Sequence, residues 1–165
     1  MLTIGLDVHQ SRTSLCVLDA KGNTLRQSEV KGGYDAVAAE LRKIKKPFQL
    51  CYEASTGYGA LYERVSPLAQ RVQVAHPGRL ALIFKSKKKS NKADAQKLAM
   101  LMHLDQVPQV HVPKQDVRSW RGIIEHRRYL VDLNVAIKNQ IRALMRNCGI
   151  KGLPGKRQWS GPGVR

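Results

Sequence analysis

Asp7 interrupts an apolar, β-branched run, Thr3-Ile4-Gly5-Leu6-Asp7-Val8, where an ionised side chain is costly to desolvate unless it is paired or bound to a metal. Its plainer alternative is a strand-end carboxylate facing water. Glu53 ends a second apolar run, Phe48-Gln49-Leu50-Cys51-Tyr52, and the polar turn Ala54-Ser55-Thr56-Gly57 follows. The C-terminal edge of an α/β sheet is where ligands bind. Two carboxylates on neighbouring strand ends there repel unless a cation lies between them. A hard divalent ion, Mg2+ or Mn2+, answers that repulsion with oxygen ligands. Asp94 is a third carboxylate, and Asn91, three positions earlier, shares its helix face and offers a neutral carbonyl oxygen. Such a donor set suits phosphoryl transfer, in which paired cations about 3.5–4 Å apart stabilise the attacking and leaving oxygens. Asp7, Glu53 and Asp94 are therefore the candidate catalytic carboxylates, and the same residues with Asn91 are the candidate metal ligands.

The elements that must position these groups can be read from pattern. Thr3–Val8, Thr13–Leu18 and Thr24–Val30, separated by a polar turn and by Asp19-Ala20-Lys21-Gly22-Asn23, predict an antiparallel meander. Val37, Leu41 and Ile44 share a helical face that Pro47 ends. Strand 48–52, a helix through Leu61, Val65 and Leu68, and strand 72–75 predict a right-handed parallel unit, closed by Pro77-Gly78. A short helix is predicted over 91–104. After the extended stretch 107–113, a long helix is predicted over 115–147, with the stripe Trp120, Ile123, Leu130, Leu133, Ile137, Ile141, Leu144 and Cys148, which Arg127 interrupts. A helix of that length usually packs on another long helix, within a chain or between chains. The predicted domains are 1–105 as a mixed α/β sheet domain, 106–150 as a helical extension, and 151–165 as a flexible Gly/Pro-rich basic tail.

At 165 residues the chain has one domain's length and can bury one substantial core. Its charge is one-sided. Lys and Arg number 29 against 12 Asp and Glu, a net of +17, of which residues 78–165 carry +14. A field of this sign and size points to a polyanionic partner, nucleic acid above all. Lys85, Lys87, Lys88, Lys89 and Lys92 crowd the segment before Asp94, where a phosphate would have to be delivered, and Arg121 and Arg128 lie off the stripe of the long helix. No apolar run reaches the ~18–20 residues of a membrane helix, and no basic-then-apolar leader opens the chain. The three cysteines fit neither a zinc spacing nor a disulfide framework. A cytoplasmic protein with no membrane partner is the expectation.

Four segments, in this order and spacing, resemble one known family. Ile4-Gly5-Leu6-Asp7-Val8-His9 resembles the opening strand of the RuvC-like, ribonuclease H-like N-terminal domain of the IS110 insertion-sequence transposases. Tyr52-Glu53-Ala54-Ser55-Thr56-Gly57, Val74-Ala75-His76-Pro77-Gly78-Arg79 and Lys92-Ala93-Asp94-Ala95-Gln96-Lys97-Leu98-Ala99 are similar to that family's later motifs. The likeness runs from about residue 2 to residue 150. It implies a ribonuclease H-like α/β fold and a four-carboxylate Mg2+ site at Asp7, Glu53 and Asp94, with Asn91 standing where the family carries an Asp. It implies a transposase or DNA recombinase that binds DNA and a structured non-coding guide RNA. It implies too a homo-oligomer assembled through the long helix, and a serine-bearing C-terminal domain beyond Arg165.

Two other readings remain open: a stand-alone RuvC-like Mg2+ nuclease, and a transposase remnant that grips nucleic acid without catalysis. A third, an actin-like or sugar-kinase-type ATPase, is disfavoured, because Val8-His9-Gln10-Ser11 offers no Gly-rich phosphate loop after Asp7.

Overall fold

A computed structural model describes residues 1–83, 91–151 and 159. They fall into two compact units that divide at Pro113 and Lys114.

The first unit is built on strand β1 (Leu2–Val8), whose alternation sends Ile4 and Leu6 to one face and Thr3, Gly5 and Asp7 to the other. β2 (Arg12–Leu18) and β3 (Thr24–Lys31) continue from it as the predicted antiparallel meander. β4 (Phe48–Glu53) and β5 (Arg71–Ala75) add on its other side, both parallel. The sheet order is β3-β2-β1-β4-β5. This mixed five-stranded sheet flanked by helices is the ribonuclease H-like arrangement that the sequence leads one to expect.

Each face of the sheet has its own core. On one, Ile4, Leu6, Leu15, Val17, Leu50, Tyr52 and Val74 pack against Val37 and Leu41 of α1 (Tyr34–Arg42) and Leu61 and Val65 of α2 (Tyr58–Val65). Gly57, just before α2, has φ +78°, and a Cβ there would strike the Tyr34 hydroxyl, which donates to the Thr56 carbonyl at 2.9 Å. Only glycine fits at that turn.

The opposite face carries α4 (Asn91–His103). Ala95 and Ala99 close on Cys16 and Leu18, while Leu98, Leu101 and Met102 pack with Cys51 and Ala75. Each large apolar side chain buried there contributes about 1.5–3 kcal/mol. A Cβ on Gly5 would run into the Ala95 carbonyl oxygen and the Ala99 nitrogen, so the helix rides directly on the bare backbone of β1. Further along the helix, Gln49 donates to the Met102 carbonyl at 3.5 Å and to Thr3 Oγ1 at 3.0 Å, both at the start of their strands. α4 therefore runs antiparallel to β1 and brings its N-terminal turn to the C-terminal edge of the sheet.

Two details differ from the sequence reading. Pro77-Gly78 does not simply close β5; it opens α3 (Pro77–Ile83). Proline suits the first helical position because its missing N–H has no helical acceptor there. The ring of His76 supports the same end, with Nδ1 accepting from the Arg79 N–H at 3.3 Å. The second detail is the segment after α4, which belongs with the sheet rather than with the helical extension. Val110 N–H donates to the Val74 carbonyl and His76 N–H to the Pro108 carbonyl, both at 2.8 Å, and Ala75 bridges Gln109. The division between units consequently falls at Pro113 and not near residue 105.

The second unit is dominated by α5 (Gln115–Asn147), whose bounds match the pattern in the sequence. None of its residues is buried, and Trp120, Ile123, Leu130, Leu133, Ile137, Ile141 and Leu144 are all exposed. At ~1.5 Å per residue it extends about 50 Å. Of the 151–165 tail, only Lys151 and Trp159 are among the described residues; Lys138 and Arg142 lie over the Trp159 ring, at 5.5 and 5.2 Å from its centroid.

Gly5→Ala tests the seat of α4. Its methyl has no room against helix backbone, so the variant should lose about 1–3 kcal/mol of stability. Urea unfolding that finds the variant as stable as the parent contradicts this packing.

Candidate functional site

The carboxylates are placed by strand register. β1 and β4 pair in parallel through Gly5 with Cys51 and Leu6 with Tyr52, and the next residue on each strand is Asp7 and Glu53. Both belong to the face that α4 covers. Asn91 is the first residue of α4 and Asp94 lies one turn on, at the end of the helix that reaches the same sheet edge. Asp7 feels Asp94: burial pushes its carboxyl above the usual 3.8, His9 pulls it back by charge and hydrogen bonding, and the negative charge of Asp94 adds to the rise. The structure thus places the helix carboxylate within electrostatic range of the strand carboxylate.

Each of these two is also held by a cationic or ring partner. His9 Nε2 lies 3.1 Å from Asp7 Oδ2, and Lys97 Nζ lies 2.8 Å from Asp94 Oδ1. Neither partner was singled out from the sequence, although both have a local signal. Residues two apart on an extended strand project to the same side, as Asp7 and His9 do, and Asp94 and Lys97 stand three apart on a helix.

A third unforeseen group is Ser14. It pairs across β1 and β2 with Asp7, so the two side chains share a face. Its hydroxyl is buried and, among the described residues, has no hydrogen-bond partner. A buried orphan hydroxyl costs about 1–3 kcal/mol and calls for an explanation such as a water or an ion's hydration shell.

These observations bear on whether a divalent cation fits. The donors are hard oxygens, two of the carboxylates repel each other, and an orphan hydroxyl adjoins them; all three suit Mg2+ or Mn2+. The cage, however, is not drawn together. Among the described residues, no three His, Cys, Asp or Glu side chains gather where one ion would touch them all. Asp7 instead engages His9, and Asp94 engages Lys97.

The candidate nucleic-acid contacts divide. Lys92 is exposed beside Asn91 on the first turn of α4. Lys85, Lys87, Lys88 and Lys89 lie outside the described residues. Arg121 and Arg128 are exposed on α5, in the second unit. No helix among the described residues is long and apolar enough to cross a membrane.

Residues 4–150 match the family model of the DEDD transposases of the IS110 type. The chain belongs to the IS110 transposase family. Two curated relatives agree. "Putative transposase y4qE" of Sinorhizobium fredii (strain NBRC 101917 / NGR234) is 28% identical over 163 residues, covering 95% of this chain and 41% of that protein. "Transposase for insertion sequence element IS1533" of Leptospira borgpetersenii is 27% identical over 164 residues, covering 95% of this chain and 47% of that protein. The chain therefore spans less than half the length of these relatives.

The raised pKa of Asp7 has a direction in stability. A carboxyl whose folded pKa lies above its unfolded value favours the fold most when protonated, and that contribution fades as pH rises through the folded pKa. Asp7→Asn should therefore raise the melting temperature at pH 7 in chelator, with the gain shrinking toward pH 3. A melting temperature at pH 7 unchanged or lowered by Asp7→Asn contradicts the assignment of burial as the dominant influence.

Proposed function

We propose that this chain is the N-terminal part of a transposase that moves an insertion sequence, and that its sheet-edge carboxylates serve phosphoryl transfer on DNA. The observation that carries the reading is the meeting of Asp7 and Asp94 at the C-terminal edge of a ribonuclease H-like sheet, in a chain of the IS110 family. Asp7, Glu53 and Asp94, with the Asn91 carbonyl oxygen, would hold Mg2+ or Mn2+. A divalent ion bound there supplies positive charge to phosphate oxygens.

The residues of the chain have their own parts. His9 and Lys97 orient Asp7 and Asp94 and offset their repulsion while no cation is bound. Lys92, with Lys85, Lys87, Lys88 and Lys89, would contact the phosphates of a strand delivered to the edge. Arg121 and Arg128, on the second unit, would make phosphate contacts of their own with DNA or a structured non-coding RNA. The exposed apolar stripe of α5 would pair with the same helix of a second copy, which is how a helix with no buried residue gains a packing partner.

A second reading, nucleic-acid binding without chemistry, is favoured by Asn91 and by the ungathered carboxylates. One substitution separates the two. Asn91→Asp restores a charged ligand and should tighten Mg2+ or Mn2+ binding about ten-fold or more by calorimetry, within the range that coordinating groups usually command. Equal affinity in both proteins shows that residue 91 is not a ligand and turns the balance to the second reading.

The cationic surface has its own test. Log affinity for DNA should fall linearly with log salt, and each of Lys92→Ala, Arg121→Ala and Arg128→Ala should reduce that slope by about one. A slope unchanged in all three variants removes these residues from the interface.

A further inference from the structure

A cavity of about 500 Å³ opens at the same sheet edge, between the end of β1, the start of α1 and the loop after β4. It is lined by Val8, His9 and Gln10 from the end of β1, Tyr34 from the start of α1, and Ser55 and Thr56 from the loop after β4. His9 is its shared wall with the carboxylates, because the ring that lines the cavity also reaches Asp7 at 3.1 Å. Nothing in the phosphoryl-transfer reading uses this space.

Its chemistry is unusual for this molecule. The chain carries 29 Lys and Arg, yet among the described residues lining the cavity none is Lys, Arg, Asp or Glu. A site for a phosphate would recruit that abundant positive charge. The lining residues instead carry a carboxamide (Gln10), two hydroxyls (Ser55, Thr56) and an imidazole (His9), which both donate and accept hydrogen bonds, beside Val8 and the aromatic Tyr34. The ring is also fixed in place. Its hydroxyl donates to the Thr56 carbonyl at 2.9 Å, the Arg64 guanidinium lies 5.9 Å from its centroid, and Gly57 leaves out the Cβ that would displace it. A rigid aromatic wall with mixed polar groups is how proteins receive an unpaired, uncharged heteroaromatic base.

The geometry points to this cavity as a nucleobase pocket. It would receive the unpaired base of the nucleotide next to the phosphate presented to Asp7, Glu53 and Asp94. The assignment rests on the phosphoryl-transfer reading for the position of that phosphate. It adds that the strand arrives unpaired at this nucleotide, since a base within a duplex cannot enter.

The test uses the full chain with fluorescently labelled single-stranded DNA oligonucleotides, one intact and others abasic at successive positions. The intact oligonucleotide should bind the parent about ten-fold more tightly than the oligonucleotide abasic at one particular position, the scale of a single base–aromatic contact. Gln10→Ala and the pair Ser55→Ala with Thr56→Val, all exposed and on turns, should weaken the intact oligonucleotide several-fold and leave the abasic one unaffected. Tyr34→Leu should do the same, and Tyr34→Phe, which keeps the ring, should restore most of the difference. Equal losses on intact and abasic strands, or no dependence on the abasic position, overturn the pocket. If salt-dependent binding persists in that case, the nucleic-acid reading stands and only the pocket falls. If the parent binds no oligonucleotide at any salt concentration, both fall together.

Discussion

The contact between α4 and the bare backbone of β1 at Gly5 is the constraint on which the rest of the molecule depends. A glycine on the strand and alanines on the helix let two backbones approach where any side chain would hold them apart. That approach sets the height and angle of α4 over the sheet. It thereby decides that a helix residue, Asp94, stands within the electrostatic reach of a strand residue, Asp7. The nearness of these two carboxylates is thus a consequence of close packing some residues away.

Gathering negative charge at a half-buried edge is unfavourable, and the fold counters it locally. His9 and Lys97 lie on the same strand end and the same helix as the carboxylates they hold. Short-range partners of this kind need no long-range docking to find their targets. They also leave the carboxylates available, because an exposed imidazole and a long lysine side chain can swing away at small cost when a stronger cation competes. Asn91, on the first turn of the same helix, adds no charge to Asp94.

Much of this was legible in the residues. Alternation in Ile4, Leu6, Leu15 and Val17 gave the strands, and the parallel register then carried Asp7 and Glu53 to one edge. Asn91 and Asp94 followed from helical spacing, and the bounds of α5 from a stripe with long continuity. What escaped was local or tertiary. Pro77 carries the same signal whether it stops a strand or starts a helix, so α3 was hidden. The docking of residues 107–112 on β5 depends on an edge that exists only after the sheet has formed. Ser14 looked like any polar residue in a strand until its pairing with Asp7 and its missing partner were seen together. Lys85, Lys87, Lys88 and Lys89, the densest charge in the sequence, lie outside the described residues.

The docked segment between α4 and α5 reaches beyond its own hydrogen bonds. By occupying the outer side of β5, it denies that margin to an incoming strand, while the opposite margin, β3, exposes Arg26, Glu29 and Lys31 along a largely solvated strand. One border is taken and the other is charged, a combination that discourages sheets from zipping together. A chain of this build is in this way kept from polymerising through its sheets.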